Sequence, residues 1–160
     1  MTTLKRCIEF LDNNDIPYAH TRHANAYRAR DVATVEHLPA CRLAKTVIFS
    51  SEDGYGMAVL PADCLLDLEE VAERLKLRHV RLATEVEVAN LFPECEVGAM
   101  PPLGTLFGLP VYIDSRLAEE DYIAFNAGTH RDAIHMCFSD LLRLTDPKIT
   151  RFAHVEAPMM

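Results

Sequence analysis

Leu43-Ala44-Lys45-Thr46-Val47-Ile48-Phe49 reads as a buried β-strand with a single charge set inside it. At period two, Leu43, Lys45, Val47 and Phe49 share a face, which aims the ammonium among the larger apolar side chains. An unpaired charge there is costly. The strand therefore poses alternatives: the lysine snorkels from a strand edge, an acidic side chain neutralises it, or the face opens into a pocket where Lys45 meets an anionic ligand. Asp53-Gly54, a turn signal, separates this strand from Met57-Ala58-Val59-Leu60 and makes the two a hairpin.

Outward from the hairpin, helical and extended patterns alternate. Leu4, Cys7, Ile8 and Leu11 have amphipathic helical spacing, closed by Asn13-Asn14-Asp15 and Pro17. A strand from Pro17 to His23 and a short helix from Arg30 to Glu36 follow. Asp67-x-x-Glu70 and Thr84-x-x-Glu87 match the capping box and open two helices, with a short extended piece from His79 to Ala83 between them. Leu109–Ile113, Tyr122–Asn126 and Asp132–Phe138 are further strands, before a helix opened by Ser139 and ended at Asp146-Pro147. The spacers are too short for regular βαβ crossovers. The expected fold class is α/β of the α+β type: a mixed, mostly antiparallel, curved or barrel-like sheet surrounded by helices, in one domain over residues 1–160.

Composition narrows the function. The 160 residues are 49% hydrophobic and 25% charged, enough for one real core. No apolar run approaches the roughly 20 residues that span a bilayer, and the N-terminus lacks a signal-peptide core. The expectation is a cytoplasmic protein without membrane contact. A net charge of -8 argues against a broad surface for long nucleic acid, while leaving room for a small footprint. Cys7, Cys41, Cys64, Cys95 and Cys137 are odd in number and scattered, which points to free thiols. His20, His23, His37 and Cys41 cluster, yet their spacing fits no zinc pattern, and neither a metal nor a cofactor is called for.

Two glycine-bearing loops carry the remaining chemistry. Gly98-Ala99-Met100-Pro101-Pro102-Leu103-Gly104 is both stiff and permissive, as a wall of a binding site or an ordinary turn would be. Phe125-Asn126-Ala127-Gly128-Thr129-His130-Arg131 joins two strands, and its successive N–H groups could form an anion-binding nest to which Thr129 and His130 add side chains.

Ala44-Lys45-Thr46, the Gly98-x-x-x-Pro102 spacing, and Phe125-Asn126-Ala127-Gly128 followed by a strand and the Ser139-Asp140-Leu141-Leu142 helix together resemble the YbaK and prolyl-tRNA synthetase associated domain family. His23, Tyr27, Ala29 and Asp31-Val32-Ala33 resemble that family's N-terminal segment, so the likeness runs from the first helix to Asp146. The resemblance implies that family's fold and a single-domain editing enzyme acting in trans, which hydrolyses the ester between a wrong amino acid and tRNA. It implies that Lys45 contacts the terminal nucleotide and that Gly98, Ala99, Met100, Pro101, Pro102 and Gly104 line the aminoacyl pocket. Asn126, Gly128, Thr129 and His130 would border it, with His23, Tyr27, Arg28 and Thr46 as further substrate contacts. The partners implied are the acceptor end of an aminoacyl-tRNA and an aminoacyl-tRNA synthetase. Two positions depart from many relatives: Arg28 replaces a small hydroxyl residue, and Gly128-Thr129-His130 replaces Gly-Ser.

Ester hydrolysis needs a positioned water, a proton acceptor and donors for the oxyanion. The chain has no Gly-x-Ser-x-Gly elbow and no His-Glu-x-x-His motif, which disfavours covalent and metal catalysis. Backbone N–H groups near Gly98–Gly104 or Gly128–His130 are the oxyanion candidates, each worth about 2.7–4 kcal/mol in known cases. His130 is the candidate base or substrate grip, against a purely structural role, and the vicinal ribose hydroxyl of the substrate could orient the water. The small pocket suggested by Ala99, Met100 and Pro101 favours alanine on a proline tRNA, with serine and cysteine next. The competing readings are a non-catalytic tRNA- or nucleotide-binding module and a small-molecule esterase.

Overall fold

In the computed structural model, residues 1–156 are described. Thr2 caps α1 (Thr3–Asn13) by accepting from the Lys5 N–H, and Cys7 and Leu11 bury its apolar stripe. β1 (Tyr18–Arg22) and α2 (Ala29–Val35) follow, and then the hairpin of β2 (Leu43–Ser51) and β3 (Gly54–Pro61), paired in eight steps from Ala44↔Pro61 to Ser51↔Gly54. β4 (Cys64–Leu66) leads into α3 (Leu68–Leu75), whose N-cap Asp67 accepts from the N–H groups of Glu69 and Glu70. β5 (Arg81–Leu82) precedes α4 (Glu85–Leu91), where Thr84 and Glu87 form the full reciprocal capping box.

β6 (Val111–Asp114), β7 (Tyr122–Asn126) and β8 (Asp132–Cys137) come next. α5 (Phe138–Thr145) starts one residue before Ser139, because the Phe138 N–H is already held by the Asp121 carbonyl. β9 (Lys148–Thr150) and β10 (Ala153–Val155) end the described chain.

The main sheet runs β1-β8-β7-β2-β3-β6-β9, with β5 also on β2, and is an open path between β1 and β9. Its pairings are mixed: β2–β3, β2–β5, β7–β8 and β1–β8 are antiparallel, whereas β2–β7, β3–β6 and β6–β9 are parallel. This is the mixed, mostly antiparallel α/β arrangement expected from the sequence. The parallel neighbours are joined by long excursions through helices, as parallel pairing requires.

Each face of the sheet is covered differently. One face carries Ala44, Ile48, Val59 and Phe125 into the principal core, which α1, α4 and α5 complete with Leu11, Val88 and Leu141. The other carries two smaller cores. α2 lays Val32 and Ala33 on Leu43 and Ala124, while α3 and the C-terminal segment pack Val71, Leu75 and Phe152 on Phe49 and Leu60.

β4, β9 and β10 have no counterpart in the sequence reading, being three residues each and too short for a periodic signal. A buried carboxylate organises the last of them. Asp114, fully inaccessible at the end of β6, accepts the N–H groups of Phe152 and Ala153 at 2.9 and 2.8 Å and that of Arg116 at 2.9 Å. This hooks the tail back so that β10 pairs with β4, Val155 opposite Cys64. Replacing Asp114 by Ala strands those buried donors and should lower stability by on the order of 3 kcal/mol. Urea denaturation of the variant checks this, and an unchanged midpoint would remove Asp114 from its organising position.

Candidate active site

The edge of β2 that faces β7 is interrupted. β7 pairs with it only through Leu43↔Ala124 and Ala44↔Phe125, and β5 takes over at Phe49↔Leu82. Between them Lys45, Thr46 and Val47 have no strand partner on that edge, while β3 continues unbroken on the other. The sheet therefore has a window at the motif read as Ala44-Lys45-Thr46. Consecutive strand residues point to opposite faces, so Lys45 and Thr46 leave the window on different sides.

On the Lys45 side lies the gap between the two smaller cores. It is a cavity of about 270 Å³ lined by Arg28, Ala29, Arg30, Lys45, Ala62 and Glu156. Lys45 is half-buried and forms no ion pair among the described residues. Burial pushes its pKa below the ordinary lysine value, opposed in part by the carboxylate of Glu156. Of the alternatives posed for Lys45, the neutralising buried acid is not what the geometry provides: Glu156 is 40% exposed at its side chain and lies 3.8 Å from Arg30 Nε. Arg28 sits on the outer rim, 82% exposed and paired with Asp31.

On the Thr46 side a cavity of about 200 Å³ is bounded by Thr46, Ile48, Val88, Val97, Gly98 and Met100. Gly98 has φ +87°, a left-handed conformation that favours glycine, and its vacant Cβ position is 3.5 Å from His130 Cε1. The His130 ring also packs on Tyr27 with centroids 4.8 Å apart, and Tyr27 precedes Arg28 in the chain.

The tautomers of two histidines follow from their carbonyl partners. His130 Nε2 is 2.8 Å from the Val97 carbonyl, which can only accept, so Nε2 carries a proton and the neutral ring leaves a lone pair on Nδ1. His23 Nδ1 likewise donates to the Ala24 carbonyl at 2.7 Å, which turns Nε2 inward, 3.8 Å from Glu36 Oε2. Glu36 is buried, which works against its charge, yet hydrogen bonds from Thr21 and His135, with His23 nearby, hold its pKa below the usual carboxylate value.

Buried polar atoms without a partner are costly and are expected to be few. Among the described residues they are His23 Nε2, Thr46 Oγ1, Asn126 Oδ1 and His130 Nδ1. Every one belongs to a residue that the sequence motifs single out. Asn126 is the last residue of β7, one step past the final pairing with β2, and so stands at the rim of the window beside Lys45.

Other motif residues prove to be supports for the fold. The nest expected at Gly128–His130 is already filled: Gly128 N–H donates to the Ala99 carbonyl, His130 N–H to Glu96 Oε1, and those of Arg131 and Asp132 to the Thr129 hydroxyl. The Thr129 hydroxyl in turn donates to Asp132. Gly128, at φ +95°, has its vacant Cβ position 2.7 Å from Thr3 Cβ, so its absent side chain makes room for the start of α1. Gly104 is pressed against Leu109 and Val111, where a Cβ would come within 2.5 Å of both, and lines neither cavity. Ala99, Pro101 and Pro102 are buried behind the loop surface. In the Gly98 loop, Ala99 N–H is held by the Glu96 carbonyl, while those of Gly98 and Met100 have no partner among the described residues.

Sequence reasoning missed Glu36, Glu96 and Glu156. None belongs to a motif in the sequence, and only the fold brings each to its place. Among the described residues, no group of three or more His, Cys, Asp or Glu is arranged to hold a metal ion, and no helix is long and apolar enough to cross a membrane.

Residues 23–144 match the aminoacyl-tRNA editing domain, and the chain belongs to that family. The proline–tRNA ligase of Sulfurihydrogenibium sp. (strain YO3AOP1) is 35% identical over 123 residues, covering 69% of this chain and 21% of the ligase. That of Fervidobacterium nodosum is 28% identical over 118 residues, covering 68% of this chain and 20% of the ligase. The chain thus matches about a fifth of the length of these two ligases. A protein crystallised as a candidate trans-editing enzyme for prolyl tRNA synthetase has the same fold, with a TM-score of 0.82, 22% identity, and 96% of this chain aligned to 98% of that one.

A half-buried lysine with a lowered pKa binds its proton less tightly in the folded chain than in the unfolded one. Its charge therefore opposes folding at pH 7, and this penalty disappears as pH rises from the lowered pKa through the unfolded value of about 10.4. Lys45→Met should raise the urea midpoint at pH 7, with the advantage over wild type shrinking toward pH 10. A lower midpoint at pH 7 would show that Lys45 is held by a stabilising partner.

Proposed function

We propose that this chain is a trans-acting aminoacyl-tRNA deacylase, a single domain over residues 1–160 that hydrolyses the ester of a mischarged tRNA. Alanine on a proline tRNA is the first-ranked substrate, with serine and cysteine esters next. The observation that carries the reading is the set of unpartnered buried atoms: all four belong to motif residues, with Thr46 in the window of the sheet, Asn126 at its rim and His130 beside Gly98 of the Thr46-side cavity. The alignment with nearly the whole of the candidate trans-editing enzyme supports a unit that acts apart from a synthetase. A synthetase remains the natural partner to deliver the tRNA, and the substrate places the activity in the cytoplasm.

In this reading the acceptor end enters on the Lys45 side, where Lys45, Arg28 and Arg30 offer positive charge to the terminal phosphate. His130 Nδ1 presents its lone pair to the attacking water and takes up a proton as the C–O bond forms. The N–H groups of Gly98 and Met100 receive the oxyanion, and as the tetrahedral intermediate collapses and the C–O bond to the ribose breaks, His130 returns that proton to the leaving ribose oxygen, releasing amino acid and tRNA. The vicinal ribose hydroxyl holds the water. Asn126 Oδ1 and Thr46 Oγ1 accept from hydroxyl or amino groups of the substrate. His23, backed by Glu36, and Tyr27 close the site from above.

Release of amino acid from a panel of misacylated tRNAs tests the proposal. Ala-tRNA(Pro) should be cleaved, with no loss on adding chelator. Lys45→Ala should lower kcat/KM by on the order of 10²-fold, the scale of losing one preorganised electrostatic contact. Binding of tRNA without cleavage of any ester would establish the binding-module reading instead, and cleavage of simple esters alone the esterase reading.

A further inference from the structure

Just past the end of β1 the chain builds a second basic site. Arg22, His23, Ala24, Asn25 and Arg131 line an open groove of about 580 Å³ whose wall, among the described residues, contains no acid. Both arginines are held from one side only. Arg131 donates through Nε to Asn25 Oδ1 at 3.0 Å and forms no ion pair among the described residues. Arg22 is 71% exposed and reaches Asp132 only through Nε, at 3.4 Å. Asp132 is itself buried, and its oxygens are taken by His20 and Thr129 at 2.7 and 2.6 Å, which leaves the Arg22 charge largely uncompensated. In a chain with a net charge of -8, two such guanidinium groups beside one groove mark a place for an anion.

The groove and the Lys45 cavity are neighbours along the backbone. Residues 22–25 line the first and residues 28–30 the second. The three steps from Asn25 to Arg28 leave their Cα atoms at most roughly 11 Å apart. Tyr27 stands between, 67% exposed, with its ring against that of His130. The path is pinned, since His23 N–H donates to the Arg131 carbonyl at 2.9 Å and Ala26 N–H to the His130 carbonyl at 3.2 Å. A basic groove, an exposed aromatic ring and a second basic cavity in succession are the elements that hold a single nucleic-acid strand, with phosphates on the cations and a base against the ring. Every tRNA ends in a short unpaired strand. We propose that Arg22 and Arg131 bind the phosphates of the nucleotides that precede the terminal one, with Tyr27 beneath a base between the two phosphate sites. This rests on the deacylase reading, in which the terminal phosphate occupies the Lys45 cavity, and it confines the grip of an acidic protein to the end of the strand.

The test uses the whole chain and the aminoacyl-tRNA that wild type cleaves best, in its native form and with uncharged methylphosphonates in place of the two phosphodiesters that precede the terminal one. Wild type should lose about tenfold or more in kcat/KM on the neutralised tRNA, mostly through KM. Arg22→Gln combined with Arg131→Gln should lose as much on the native tRNA and nothing further on the neutralised one. Its log–log dependence on salt should be shallower by roughly 0.7 for each phosphate contact removed. Arg131→Lys, which keeps the charge without the Nε bond to Asn25, should retain most of the discrimination. If the arginines only brace the segment beside His130, the double variant slows both tRNAs by the same factor, and that result overturns the assignment, as does a wild type indifferent to the neutral linkages. A wild type that cleaves no aminoacyl-tRNA overturns the deacylase reading. The groove is then decided by affinity for the same two tRNAs without amino acid: a preference for the native form that the double variant loses upholds it, and equal affinity overturns it.

Discussion

The interrupted ladder on one edge of β2 is the constraint from which the site follows. A sheet edge presents unsatisfied N–H and C=O groups and is normally covered. Here β7 ends its pairing at Ala44 and β5 begins at Phe49, and a short stretch of a central strand is left open inside the molecule. Because that stretch contains successive residues with opposite orientations, one opening serves both faces. The eight-step ladder with β3 is what makes the gap tolerable, since it pins β2 on its other edge and prevents the window from closing by a shift of register.

Around the window the protein bears an unfavourable arrangement: a desolvated amine and side-chain atoms buried without partners. Such groups weaken a fold and persist where a ligand completes them. The surrounding structure is correspondingly well satisfied. Glu96 occupies the glycine turn that would otherwise attract an outside anion, Thr129 closes its own turn, and Glu36 ties α2 to β1 and β8 through Thr21 and His135. The contrast separates atoms whose hydrogen bonds serve the fold from atoms the fold leaves without a partner, a distinction that motif residues alone do not make. Gly128 and Thr129 belong to the first class and His130 to the second, although they are consecutive.

Much of the framework was legible in the sequence because its signals are local. The N-cap at Asp67, the capping box at Thr84, the turn at Asp53-Gly54 and the alternation in β2, β7 and β8 each act within a few residues, and the structure has those elements where the patterns fall, although Glu70 pairs with Arg74 and leaves the Asp67 N–H to the Phe152 carbonyl. The anomaly of Lys45 was legible for the same reason, as a polar residue out of phase with its strand. What pattern could not reach depends on pairing at a distance. β10 exists because Asp114 recruits it, and Glu36 and Glu156 matter only because α2 and the tail are folded onto the same face as Lys45. A nest inferred from Gly128-Thr129-His130 was wrong in its vacancy, since Glu96, distant in sequence, fills it.

The strand order also sets a timetable. The β2–β3 hairpin is local and can form early, but β1 must wait for β8, β2 for β7, and β4 for β10 at the very end of the described chain. Contacts between distant segments are slow to form because the loop between them must first be closed. The window lies where the early hairpin meets these late arrivals. A chain emerging from the ribosome therefore holds its central hairpin well before it holds a site, and competence comes as one of the last events of folding.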